Sequence, residues 1–272
     1  MEENFDRELK AALLDMMAWF HDFCVENGVR YYVLGGTMLG AARHRGFIPW
    51  DDDIDVGVVS EDYVRLEGLM ARSGQKRYVL ETPLSPAKDF NYCFSKLYDT
   101  RTTLVENTRY KTRRGIYLDI FPLVGMGDTA EESHANYAAL ERRFNFFLAR
   151  TTGIRHGRSL VKNAAVLAAR LAPADSKKML RRLYADANAK GFDVCRFGGN
   201  PFGAWHEREI MERSIMGEPT LYPFEQLELY GAADADAYLT HLYGDWRQLP
   251  PEEKRVSHHD YLSCDLHHSY LE

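Results

Sequence analysis

Residues 31–59 read YYVLGGTMLGAARHRGFIPWDDDIDVGVV, and the reading of this stretch decides the fold. The apolar run 31–34 suits a short buried strand, Gly35-Gly36 turns the chain, and residues 37–44 suit a short helix. A loop containing Gly46 and Pro49 then leads to a second strand over 53–59. A strand that enters a helix through two glycines exposes the first N–H groups of that helix, with no Cβ to hold a phosphate away. Gly35, Gly36 and Thr37 are therefore expected to cradle a phosphate-bearing donor. Side chains alternate along a strand, so Asp53 and Asp55 are expected on one face, with Asp51 joining them where the strand begins that early. Carboxylates projected together repel one another unless a cation sits between them. An oxygen-only set of this kind suits Mg²⁺ or Mn²⁺ bridging substrate phosphates.

A third acid lies downstream. Residues 115–122 read GIYLDIFP, an otherwise apolar strand with Asp119 at its centre. A charge there is costly to bury without a partner. Completion of the metal set by Asp119 is the expected reason for it, and pairing with an arginine is the structural alternative. Asp53, Asp55 and Asp119 are thus the expected catalytic acids, with Asp51 beside them as a metal ligand. Lys96, near the end of a strand-like run over 91–98, is an expected phosphate ligand, as are Arg43 and His44 just before the acidic strand. Metal, phosphate turn and acids together describe transfer of a phosphate-linked group.

The remaining chain divides into parts. Residues 5–26 place Leu9, Leu13, Met16, Met17, Phe20 and Phe23 near one helical face. Ser60 suits the N-cap of a helix over 61–72. Strand-like runs follow at 77–81, 91–98, 102–106 and 116–121. From 129 to about 190 the pattern is helical, with breaks at Gly153 and Pro173, and a last helix is expected over 234–243. The expected class is α/β (α+β): a mixed-sheet catalytic core over 1–128, an appended helical lobe over 129–190, and a segment over 191–272 that packs back on the core and completes the site.

Bulk properties are those of an ordinary globular chain of 272 residues, 45% hydrophobic and 27% charged. No stretch reaches the roughly 18–20 apolar residues of a membrane span. The acidic N-terminus lacks a signal-peptide pattern, so a cytoplasmic location is expected. Four scattered cysteines, with no C-x-x-C pair, argue against a zinc ribbon and give no reason to expect disulfides. The net charge is −6, yet residues 141–190 hold twelve Lys/Arg against three Asp/Glu. That block suits solvated helix faces, with an anionic partner or peripheral contact at an inner membrane surface as the alternative. No nucleic-acid partner is expected.

The residues 35–55, GGTMLGAARHRGFIPWDDDID, resemble the LicD family of phosphocholine transferases. That family is related to fukutin and fukutin-related protein, within the nucleotidyltransferase-fold superfamily. Residues 115–122 resemble its next block, with its third acid at Asp119. The stretches 243–246 (YGDW) and 249–251 (LPP), with His258-His259, resemble family features near the C-terminus, and either histidine could act as base toward an acceptor. The resemblance implies a nucleotidyltransferase-like core and transfer of phosphocholine from CDP-choline to a hydroxyl of a cell-surface glycan, such as lipopolysaccharide, a teichoic acid or a lipid-linked glycan. The fukutin branch implies CDP-ribitol as another donor. Choline would call for an aromatic cage, and Trp50, Tyr117, Tyr243 and Trp246 are among the aromatics available. A D-x-D glycosyltransferase, a nucleotidyltransferase proper and a nucleotide-binding regulator are the rival readings.

Overall fold

The computed structural model describes residues 2–109, 111–152, 159–256 and 261–272. Helix α1 (Glu2–Asn27) ends at Gly28, whose φ of +58° favours a residue without Cβ. It turns Leu13, Met16, Met17 and Phe20 inward, where each is buried, contributing roughly 1.5–3 kcal/mol apiece. Strand β1 (Tyr31–Val33) leads through helix α2 (Gly35–His44) to β2 (Asp55–Val59). Two short helices, α3 (Ser60–Tyr63) and α4 (Leu66–Ser73), precede strands β3 (Tyr78–Glu81) and β4 (Ser95–Asp99). Then come β5 (Thr103–Glu106), β6 (Arg113–Arg114) and the long β7 (Tyr117–Gly127).

Helices α5 (Ala130–Thr151), α6 (Leu160–Leu171) and α7 (Ser176–Ala187) form the lobe. Thr129, Ser159 and Asp175 cap their first turns by accepting backbone N–H bonds. The chain returns through β8 (Phe197–Gly199), β9 (Ile210–Glu212) and α8 (Arg213–Met216). A hairpin of β10 (Thr220–Phe224) and β11 (Leu227–Gly231), helix α9 (Ala235–Tyr243) and strand β12 (Tyr261–Asp265) complete it.

The main sheet is mixed and seven-stranded. Its spine runs β1-β2-β7-β4-β3, with β8 and β9 added to the far half of β7. Only the β2–β7 pair among these is parallel. Strand β12 joins β5 and β6 in a separate three-stranded sheet.

Several expectations shift. Strand β2 starts at Asp55, so Asp51 and Asp53 lie in the irregular segment before it and strand alternation does not set their direction. Ser60 is the first residue of α3 rather than a cap. Its hydroxyl bonds Glu61 and accepts the Phe192 N–H, which ties the segment after α7 to the core. The helix expected over 61–72 is two helices. The strand expected to end before Pro122 runs on to Gly127. Pro122 falls between the last β4 partner, at Ile120, and the first β8 partner, at Val124, where a missing N–H costs little. Gly153 lies outside the described residues, while Pro173 separates α6 from α7.

Candidate active site

The cross-strand register builds the centre of the site. Asp55 on β2 pairs in register with Asp119 on β7, and Asp119 pairs with Lys96 on β4. Register partners project to one face, so these side chains form a row across three adjacent strands. Lys96 Nζ meets Asp119 Oδ1 at 2.8 Å. Only 2% of the Lys96 side chain is exposed. Its ammonium sits 3.2 Å from the Tyr117 ring centroid and 4.4 Å from that of Tyr92, with Glu106 at 3.9 Å. Tyr92 and Tyr117 both donate to Glu106. As found, Lys96 orients Asp119, and meeting a phosphate would require it to leave this enclosure. The aromatic faces around it hold the protein's own cation.

The glycine turn is built for close approach. Gly35 has φ +48°, and a Cβ on Gly36 would stand 2.7 Å from Asp51 Oδ2. Leu34 at the N-cap supplies no side-chain acceptor to the first turn of α2, and the Gly35 N–H meets Tyr238 Oη of α9 at 3.0 Å. Thr37 is buried, and its Oγ1 accepts the Asp55 N–H at 2.9 Å, so this hydroxyl fixes the start of β2 against α2.

A cleft of about 170 Å³ opens over these groups. It is walled by Gly35 and Gly36 on one side, by Asp53, Asp55 and Asp119 on another, and by Asn200, Gly203, Trp205, Glu209 and Tyr243 from the returning segment. The Asp55 carboxyl is pushed well above the usual carboxylate range by burial first, and then by the charges of Asp53, Asp119 and Asp51. This mutual repulsion, with oxygen donors alone, is what a divalent cation would relieve, so the residues fit such an ion. Among the described residues no three His, Cys, Asp or Glu side chains are already arranged as a metal cage. Mg²⁺ commonly takes one or two carboxylates and fills its shell with substrate phosphates, a role open to Asp53 and Asp55 while Asp119 stays on Lys96.

Glu209, Asn200 and Trp205 are wall residues that strand and spacing arguments missed. Burial raises Glu209 to about 7, against the Trp205 N–H it accepts at 3.0 Å and a bond with Asn200. A Cβ on Gly203 would stand 1.9 Å from Glu209 Oε1, so the carboxylate occupies space that only glycine leaves. Trp205 and Tyr243 pack edge to face at 4.9 Å beside it. The signal available was the second glycine-rich turn, GGNPFG at 198–203, followed by Trp205.

Other expected residues stand elsewhere. Arg43 donates to the Trp246 carbonyl at 2.8 Å and to His44 Nε2 at 3.0 Å, binding the end of α2 to the C-terminal segment outside the cleft. Burial lowers both the Arg43 and the His44 values, the latter also through Arg43. Trp50 faces Arg255 and Trp246 faces Arg247. His258 and His259 lie outside the described residues, and His267 and His268 are exposed.

Residues 28–148, the glycine turn through the third acid and into α5, match the model of the LicD/FKTN/FKRP nucleotidyltransferase domain. This segment is a LicD-family domain. The chain is 26% identical to the lipopolysaccharide cholinephosphotransferase LicD of Haemophilus influenzae, over 93% of its own length and 95% of that protein's. It is 29% identical to an uncharacterised Rickettsia prowazekii protein over 41% of the chain and 40% of the relative. A shorter match, 55% identical over 42 residues, links it to the human ribitol 5-phosphate transferase FKRP and covers 15% of the chain and 8% of that protein. The LicD-family domain contributes Gly35, Gly36, Asp53, Asp55 and Asp119 to the cleft, while Glu209, Trp205 and Tyr243 come from beyond it.

Proposed function

We propose that this protein transfers a phospho-alcohol, phosphocholine in the first instance, from a CDP-activated donor to a hydroxyl of a cell-surface glycan such as lipopolysaccharide. The observation that carries the reading is the single cleft that gathers the glycine turn, the acids and the Trp205–Tyr243 pair. The N-terminus of α2 would receive the diphosphate, since backbone N–H groups and the helix dipole favour negative charge there. Asp53 and Asp55 would hold Mg²⁺ or Mn²⁺, with Asp119 adjoining, and the ion would supply charge neutralisation on the phosphate oxygens. Trp205 and Tyr243 offer ring faces of the kind that bind a quaternary ammonium. The acceptor oxygen forms a bond to the choline-bearing phosphorus, the bond to the bridging oxygen breaks, and CMP leaves. The acceptor's proton passes to a cleft carboxylate. Glu209, held at about 7, is matched to that task near neutral pH, whereas Asp119 is engaged by Lys96.

The near full-length match to a cholinephosphotransferase favours choline over ribitol as cargo. We place the reaction in the cytoplasm, where CDP-activated donors would be met. Among the described residues no helix is long and apolar enough to cross a membrane.

The test is the melting temperature with Mg²⁺ and, in turn, CDP-choline, CDP-ribitol, CDP-glycerol, UDP-sugars, CTP and ATP. A ligand at about 100 times its Kd stabilises by roughly 2.7 kcal/mol, which is a shift of roughly 5 °C for a chain of this size. The expected result is a metal-dependent shift with CDP-choline that Asp53→Asn and Asp55→Asn abolish, together with loss of CMP release and an unchanged circular-dichroism spectrum. A shift with UDP-sugars alone would replace this reading by glycosyl transfer, and one with CTP or ATP alone by nucleotidyl transfer.

A further inference from the structure

The helical lobe has two features that the transfer reaction does not use. The first is the outer face of α6. Val161, Leu167 and Leu171 are 79%, 51% and 78% exposed, and Ala164, Ala165 and Ala168 lie exposed among them. An apolar stripe of this kind on a helix that packs on α5 through Val166 and Ala169 is unusual for a face left in water. The second is a groove of about 590 Å³ between α5 and α7, floored by Ala139, Phe146 and Met179 and edged by Arg142, Arg143 and Arg182. Arg143 also pairs with Asp186 across it.

The Arg150 guanidinium on α5 donates to the carbonyls of Ala169, Ala172 and Ala174. The end of α6 and its link to α7 are therefore tied to α5.

The charge selects the occupant. Residues 141–190 carry twelve Lys/Arg against three Asp/Glu. A second copy presenting the same lobe would repel it, and an acidic peptide would pair with the arginines while leaving the α6 stripe wet. An anionic bilayer satisfies both features: headgroups meet the guanidinium groups and acyl chains meet Val161, Leu167 and Leu171. We propose that this lobe docks the protein on an anionic lipid surface, lying on the membrane through α6 and the α5–α7 groove.

The test uses the full chain with vesicles of phosphatidylcholine alone or mixed with phosphatidylglycerol, read by co-sedimentation. Binding to the mixed vesicles only, weakened by salt, is expected. Arg142→Ala with Arg182→Ala should weaken it by roughly twenty-five-fold, taking about five-fold per arginine. Leu167→Ser with Leu171→Ser should weaken it at least about ten-fold. Because both leucines are exposed, their variant should melt with the wild type, which separates lost docking from lost folding. Equal sedimentation with both vesicle types, none with either, or binding that survives the arginine pair overturns the proposal. So does a dimer in sedimentation velocity that the leucine pair disperses, since a second copy would then be the occupant.

Discussion

At the scale of single residues, Glu209 is the group whose environment departs most usefully from its ordinary chemistry. Burial lifts it from 4.5 to about 7, so its ionised form is less favourable in the folded protein than in the unfolded chain. Below about 4.5 both states hold the proton and there is no penalty. Between 4.5 and 7 the unfolded chain gives up its proton first, and stability falls as pH rises. Above 7 the penalty is constant. Glu209→Gln keeps an acceptor for the Trp205 N–H and removes the charge. It is expected to raise stability by about 1–3 kcal/mol at alkaline pH and by little at acidic pH. Urea unfolding at both ends of that window, in chelator, measures it. Equal pH slopes in the two proteins would contradict the assignment. The same variant should slow transfer if Glu209 takes the acceptor's proton, so stability and rate move in opposite directions.

Among elements, the row Asp55–Asp119–Lys96 shows how strand register does chemical work. Three strands put two carboxylates and one cation in a row, and the enclosed ammonium, paired with Asp119, biases where that carboxylate points. Removing one partner of a buried pair is strongly destabilising, by about 3–5 kcal/mol, because the remaining charge loses its compensation. Lys96→Met is expected to cost that much in thermal or urea unfolding. Lys96→Met combined with Asp119→Asn should recover at least about half of it. Additive losses in this cycle would mean the two side chains are not coupled. The Thr37 bond to the Asp55 N–H belongs to the same scale, since it holds the helix that offers N–H groups against the strand that offers carboxylates.

For the whole molecule, the returning segment matters as much as the domain it covers. Strands β8 and β9 extend the sheet along β7, α9 gives Tyr238 to Gly35, and the 246–248 backbone receives Arg43. A chain ending at residue 190 would expose the β7 edge and lose Glu209, Trp205 and Tyr243 from the cleft. It is expected to aggregate more readily and to show no melting shift with Mg²⁺ and CDP-choline, both readable by light scattering and thermal melts. A full shift in that truncated chain would place donor binding within residues 1–190.

Local chemistry made much of this legible from the chain alone. The two glycines, the helix after them, the acids at Asp53, Asp55 and Asp119, and the helical run after residue 129 each follow from short-range rules of turn, period and capping. What register and long-range return decide was not legible. Alternation suggested that Asp51 and Asp53 share a strand with Asp55, but that strand begins at Asp55, and the folded loop brings Asp53 to the cleft by another route. Lys96 read as a phosphate ligand because pairing with Asp119 depends on which strands become neighbours. For Glu209 the glycine turn at 198–203 gave only a distant hint, because its burial, its raised value and its glycine-lined space exist only once residues 198–209 fold back over β7. Side-chain type and spacing are local properties of a chain, whereas desolvation and the meeting of charges depend on contacts between distant segments, and those only the tertiary structure decides.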